Sequence, residues 1–228
     1  DFLSLIYPRL CYACGQPLFA NEEVVCFPCR TSLPQTHYHE QPDNPAAQVF
    51  WGRCELEAVA GYYFLRRGNK VQHLLHALKY HNAPEVGVLA GRIYGSLLKD
   101  AQGFSHASCI IPVPLHPKKQ KIRGYNQSEV FANGLSQSMG IPVNTTSLIR
   151  SVASETQTRK SRFKRWENVK TIFALGDIEP VKGKHVILVD DVITTGATME
   201  ACGNVLKAVA GITISVARIA RSERNTSE

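Results

Sequence analysis

The segment His185–Thr198 constrains this chain more than any other. Val186, Ile187, Leu188 and Val189 form a continuous apolar run, the pattern of a strand covered on both faces inside a parallel sheet. The run ends in two adjacent carboxylates, Asp190 and Asp191. A turn with Thr194, Thr195 and Gly196 follows, and a helix is predicted from about Ala197. In open α/β folds ligands bind at the carboxyl edge of the sheet, where this turn would lie. The first amides of a helix lack intrahelical partners and suit a phosphate. Gly196 lets the backbone approach closely, and Thr194, Thr195 and Thr198 add hydroxyl donors. The two aspartates can accept hydrogen bonds from ribose hydroxyls. Neither a Gly-x-x-x-x-Gly-Lys nor a Gly-x-Gly-x-x-Gly pattern is present, so this is neither a nucleotide P-loop nor a dinucleotide fingerprint. An ordinary strand–turn–helix with a capping acidic pair competes with this assignment. It leaves two neighbouring carboxylates to repel one another with no polyhydroxyl or cation to bind.

Around that segment the pattern alternates between periods of two and of about 3.6. Strands are predicted at Ala58–Leu65, Cys109–Val113, Val143–Leu148, Thr171–Ala174, His185–Val189 and Ile212–Ile219. Helices are predicted at Val71–Lys79, Ala83–Leu98, Gln127–Met139 and Thr195–Ala208. Such alternation indicates an α/β fold, a parallel sheet with helices on both faces. The length of 228 residues and the 44% hydrophobic content suit one medium domain with a small accessory unit. We divide the chain into a cysteine-bearing region at 1–34, an irregular linker at 35–56 and the α/β domain at 57–222. No apolar run reaches membrane-spanning length. The opening stretch has the wrong charge order for a secretory signal. A cytoplasmic protein that does not engage membranes is expected.

Seven cysteines do not make a disulfide framework. Four of them form Cys11-x2-Cys14 and Cys26-x2-Cys29, a spacing with which two tight turns offer four thiolates to one tetrahedral Zn²⁺. A redox pair is the alternative. Cys54, Cys109 and Cys202 read as buried or incidental thiols, and His73, His76 and His81 as packing or surface residues.

The formal net charge is +7, compatible with phosphate-bearing ligands or nucleic acid without choosing between them. It concentrates at Lys118, Lys119, Lys121 and Arg123, and again at Arg159, Lys160, Arg162, Lys164 and Arg165. These stretches are either solvated faces or tracks for a phosphate backbone. Tyr125, Phe163 and Trp166 interleave with them and are candidates for base stacking. Lys79 and Tyr80 end a predicted helix, where a lysine serves either the helix dipole or a phosphate chain.

The segment at 186–198 resembles the phosphoribosyl-pyrophosphate (PRPP) motif of type I phosphoribosyltransferases. Leu78-Lys79-Tyr80-His81, Ile111–His116, Arg123-Gly124-Tyr125-Asn126-Gln127 and Thr156–Arg159 with Arg165 and Asn168 resemble one branch, the ComF family, as do the paired cysteines. The resemblance covers roughly residues 8–220. It implies that Asp190 and Asp191 grip the ribose hydroxyls and that Thr194, Thr195, Gly196, Ala197 and Thr198 cradle the 5′-phosphate. It assigns Lys79 and Tyr80 to pyrophosphate. Pro117–Asn126 becomes a mobile loop that brings Arg123 to the leaving group, with Mg²⁺ carried in by PRPP and Asp191 as the general base. The implied function is binding of PRPP or a related ribose 5-phosphate, with transfer of phosphoribosyl to an unknown acceptor. The alternative is a factor of natural transformation that binds single-stranded DNA beside a helicase of the competence system. Lys118, Lys119, Lys121, Arg123, Arg162 and Arg165 would then meet the strand.

Overall fold

The computed structural model describes residues 8–151, 172–193 and 195–222. Its centre is a four-stranded, all-parallel sheet in the order β1-β6-β5-β2. These strands are β1 (Ala58–Leu65), β2 (Cys109–Pro112), β5 (His185–Ile193) and β6 (Thr213–Ser222). A separate antiparallel pair joins β3 (Leu148–Arg150) to β4 (Phe173–Leu175). The helices are α1 (Phe27–Ser32), α2 (Lys70–Tyr80), α3 (Pro84–Leu98), α4 (Pro117–Arg123), α5 (Gln127–Met139) and α6 (Ala197–Leu206).

The central strands β5 and β6 are apolar because both faces are covered. Val186, Ile187, Leu188, Val189, Val216, Ala217 and Ala220 are all fully buried. Both margins of the sheet are protected, which removes a template for aggregation. Gln35 bridges Tyr63 beside β1, and Val143 bridges Ile110 beside β2. The strand predicted at Val143–Leu148 is thus a single bridge followed by β3, because Asn144 turns the chain there. Its side chain accepts from the amides of Thr146 and Ser147.

Local signals explain the helix limits. Asn69 caps α2 through the amide of Gln72, and Asn126 caps α5 through the amide of Ser128, each satisfying an otherwise orphaned donor. Pro84 opens α3 at the position where its missing N–H costs nothing. Helices α3 and α5 pack almost backbone to backbone through Gly91 and Gly134. A Cβ on Gly91 would fall inside contact distance of the Phe131 carbonyl oxygen.

The stretch at 35–56 contains 3-10 turns at Tyr38–Glu40 and Gln48–Phe50 and buries Tyr38, Ala46 and Phe50. Asn44 organises it: its amide donates to the Tyr38, Gln41 and Val59 carbonyls, while its Oδ1 accepts from Ala46 and Ala47. The cysteine-bearing region rests on α2 and α3. His73 Nδ1 lies 3.0 Å from the Ala13 carbonyl oxygen, and Tyr12 donates to Glu85 at 2.7 Å.

Candidate functional site

Strand β2 leaves the sheet early, and that departure opens the site. The β2–β5 register stops at Pro112↔Val189, since Pro112 and Pro114 have no amide to continue a ladder. The β5–β6 register runs on to Ile193↔Arg221. Asp190 and Asp191 therefore stand just past the end of one neighbour and still paired to the other. The strand extends beyond its predicted end at Val189 for the same reason.

Consecutive strand residues face opposite ways, and the acidic pair is divided between two sets of partners. Asp191, 7% exposed, accepts from Lys79 Nζ at 2.7 Å and from Gln127 Nε2 at 3.4 Å. Asp190 accepts from Ser128 Oγ at 2.9 Å and from the Asp191 amide at 2.9 Å. Burial and the neighbouring Asp191 push the Asp190 carboxyl above its ordinary range, opposed by Arg218. The repulsion read from sequence is thus met partly by protein cations, Lys79 from α2 and Arg218 from β6.

The turn that follows is open to solvent. Thr195, Ala197 and Thr198 are exposed, and Gly196 is buried. Gly196 adopts φ +78°, and a Cβ there would press on Val49 and Phe50 at 3.0 Å, so both its conformation and its surroundings favour glycine. Arg53 braces the turn from outside: Nη1 donates to the Thr195 carbonyl at 3.2 Å, and Nη2 pairs with Glu200 on α6. Thr194 lies outside the described residues, as do Arg162 and Arg165 with the whole second basic stretch, Phe163, Trp166 and the Thr156–Arg159 block.

Lys79 and Tyr80 form the last turn of α2. Together with Asn82, Lys119, Ile122 and Arg123 they line an open cleft of about 400 Å³. The Arg123 guanidinium lies over the Tyr80 ring, 5.7 Å from its centroid. The Pro117–Asn126 stretch, expected to be a loop, is mostly the helix α4. His116 accepts from the Lys118 amide at its start, Pro117 fixes φ, and Gly124 at φ +82° ends it. Lys118, Lys119 and Lys121 lie exposed on this helix. Tyr125, a candidate for stacking, is half-buried and donates its hydroxyl to the Leu78 carbonyl, so it joins α2 to the α4–α5 junction. Each member of the 123–127 block thus has a structural or site role. Arg123 lines the cleft, Gly124 ends α4, Tyr125 anchors α2, Asn126 caps α5, and Gln127 reaches Asp191.

The sulfurs of Cys11, Cys14, Cys26 and Cys29 lie within 4.8 Å of one another. Four thiolates around one Zn²⁺ at ~2.3 Å sit roughly 3.8 Å apart, so the cluster has the dimensions for a tetrahedral ion. Burial pushes the Cys11 thiol up, but amide donors from Cys26, Cys14 and Ala13 outweigh it and bring it to about 7. Burial and the adjacent thiols push Cys29 up to about 12. A bound cation is what favours four deprotonated sulfurs together.

Sequence reasoning missed Ser128, Gln127, Arg53 and Arg218 as members of this site. The first two are readable in principle as the opening of a capped helix. Arg218 and Arg53 carry no local signal.

A parallel sheet with an acid pair and an open strand–turn–helix at its carboxyl edge defines an α/β protein of the type I phosphoribosyltransferase class. The model of the phosphoribosyl transferase domain matches residues 126–227. Competence protein F of Haemophilus influenzae is 31% identical over 226 residues, covering 93% of this chain and 96% of that protein. The chain belongs to the ComF/YhgH family. DNA utilization protein YhgH of Escherichia coli K12 is 28% identical over 225 residues, covering 89% of this chain and 92% of that protein. Among solved structures, adenine phosphoribosyltransferase from Leishmania tarentolae aligns at 13% identity and a TM-score of 0.39, over 83% of this chain and 94% of that one. No described helix is long and apolar enough to cross a membrane.

Proposed function

We propose that the protein binds PRPP, or a closely related ribose 5-phosphate, across the carboxyl edge of its sheet. Asp190 and Asp191 serve the ribose hydroxyls, and the Thr194–Thr198 turn with its helix amides receives the 5′-phosphate. Lys79, Tyr80 and Arg123 receive the diphosphate, whose bound Mg²⁺ spreads its charge. The observation that carries this reading is the 2.7 Å contact between Lys79 and Asp191. It joins the basic cleft to the acidic strand edge, so one extended ligand with a polyhydroxyl centre and an anionic end spans both. As the bond from C1 to diphosphate breaks, the carboxylates face the developing cation and the basic groups face the leaving anion, a division of charge that lowers the barrier. In the transfer reaction Asp191 takes the acceptor's proton. Zn²⁺ is the ion we assign to the four cysteines, where it ties the two Cys-x2-Cys turns into one unit.

Calorimetric titration with PRPP and Mg²⁺ tests this directly. Binding should be saturable and should vanish in the Asp190→Asn/Asp191→Asn double variant, and a wild-type protein that takes up no PRPP ends the proposal. Pyrophosphate release with candidate acceptor bases then decides whether transfer follows. A second reading, contact with single-stranded DNA beside a competence helicase, is favoured by one feature: Lys118, Lys119 and Lys121 stand exposed together on α4, the helix whose Lys119 lines the cleft. Two of the relatives' names, competence protein F and DNA utilization protein, agree with it. Replacing the three lysines should flatten the salt dependence of single-strand binding by about one unit of slope for each phosphate no longer neutralised.

A further inference from the structure

Strand β6 contains a residue that its surroundings do not explain. Ile214, Val216, Ala217, Ile219 and Ala220 make β6 an apolar strand, yet Arg218 sits among them at 2% exposure. Burying a guanidinium is among the more expensive things a core can do unless its charge is matched. Nη1 donates to the Val192 carbonyl at 2.7 Å, while Nε and Nη2 have no acceptor among the described residues. One carbonyl does not compensate a buried cation. The nearest acidic group along the ladder is on the same face: Arg218 is the register partner of Asp190, and register partners in a parallel ladder lie on the same face of the sheet, although Nε and Nη2 make no direct hydrogen bond to it.

The other groups around Asp190 do not supply this charge. Asp191, next along β5, is itself an acid and turns to Lys79 of α2. Ser128 from α5 offers a neutral hydroxyl. Cys202 from α6 is buried, and its thiol is pushed up by burial and by Asp190 itself, so it stays protonated. Arg150 of β3 acts on Cys202. Arg218 is the cation that acts on Asp190 against burial and against Asp191.

We propose that Arg218 is a positioning residue of the ligand site: its buried guanidinium is the counter-charge that keeps Asp190 a carboxylate, oriented to accept from the ribose hydroxyls. It touches no ligand itself. Nε and Nη2 make no direct hydrogen bond to that carboxylate, so the guanidinium acts on it through space or through water between them. The proposal rests on the ribose 5-phosphate reading only in its final clause.

The decisive measurement is therefore made without ligand. Carboxyl ¹³C resonances of aspartate-labelled protein are followed through pH, with Asp190 assigned from Asp190→Asn. Loss of the opposing cation raises a carboxyl midpoint, so Arg218→Met should move Asp190 upward by roughly 1–3 pH units. Arg218→Lys should restore most of the shift. Binding that needs the carboxylate is present above the midpoint and lost as pH falls through it. PRPP affinity in Arg218→Met should thus disappear at higher pH than in the wild type and recover on raising the pH, which a merely misfolded variant would not do. A folded Arg218→Met protein with an unmoved Asp190 midpoint overturns the proposal. If Met is not tolerated, Arg218→Gln keeps a donor for Val192 and removes the charge, with the same two outcomes. If neither folds, the wild-type midpoint decides, and a value above about 7 means Arg218 does not hold Asp190 ionised. A midpoint that moves while the wild type ignores PRPP keeps the counter-charge and discards the ligand, and the reverse result does the opposite.

Discussion

Lys79 is where the single-residue chemistry of this protein is most exposed to test. Its ammonium lies 2.7 Å from the Asp191 carboxylate, and the same residue lines the basic cleft. Replacement by Met leaves a nearly buried carboxylate without its partner, a loss that costs about 1–3 kcal/mol. Adding Asp191→Asn should return part of that stability. Chemical denaturation of the two single variants and the double reads the coupling, and strictly additive losses would show that the pair does not interact. Two histidines give a second handle. Burial depresses the imidazoles of His39 and His185 below their ordinary value, and His185 Nε2 also lies 2.8 Å from Ser215 Oγ. The sign follows from linkage: a group that binds its proton more readily when unfolded contributes stability above its unfolded pKa, and that contribution is lost as pH falls toward the folded one. Stability should decline below about pH 6.5. His185→Gln should lessen the decline, seen in denaturation midpoints measured between pH 7.5 and about pH 5.

Among the elements, the α3–α5 contact sets how closely the site is framed, because α5 begins with Gln127 and Ser128, which hold Asp191 and Asp190. Gly91 and Gly134 allow that approach. Gly91→Ala forces a methyl group against the α5 backbone, an overpacking that costs about 1–3 kcal/mol. It should also weaken ligand binding although Gly91 touches no ligand. Thermal denaturation beside the PRPP titration checks both, and a variant as stable as wild type would show that the helices can part without penalty. Helix α4 teaches the opposite lesson about legibility. Its lysines and Gly124 suggest a basic loop, but His116, Pro117 and Gly124 are a start signal and a stop signal seven residues apart. Charge composition concealed caps that were present in the sequence.

For the whole molecule, α2 connects two regions that the sequence keeps apart. Its middle meets the cysteine-bearing region through His73 and Ala13, its first residue reaches Ser32 through Lys70 at 3.4 Å, and its last turn delivers Lys79 to Asp191. Metal removal should therefore be felt at the ligand site. Zinc-finger peptides gain about 10–16 kcal/mol from their ion, so chelation should unravel the 8–33 region. Zinc released on thiol modification, read with a chromogenic chelator, should amount to one equivalent per chain, and the stripped protein should melt lower and bind PRPP more weakly. Full PRPP affinity after complete zinc release would show that α2 holds its place without the metal.

What could be read in advance was what short range dictates. An apolar run before two aspartates and a glycine turn is a strand, an edge and a helix start, and Cys-x2-Cys twice is a four-sulfur cluster, because each depends on periodicity or spacing within a few residues. The division of Asp190 from Asp191, the recruitment of Arg53 and Arg218, and the seating of Lys79 could not be read so. Those pairings join residues 26 to 147 positions apart, and they exist only because the β5–β6 register and the packing of α2 and α5 bring the groups together. A buried arginine in an apolar strand looks like an error in the pattern until the neighbouring strand supplies the carboxylate that explains it.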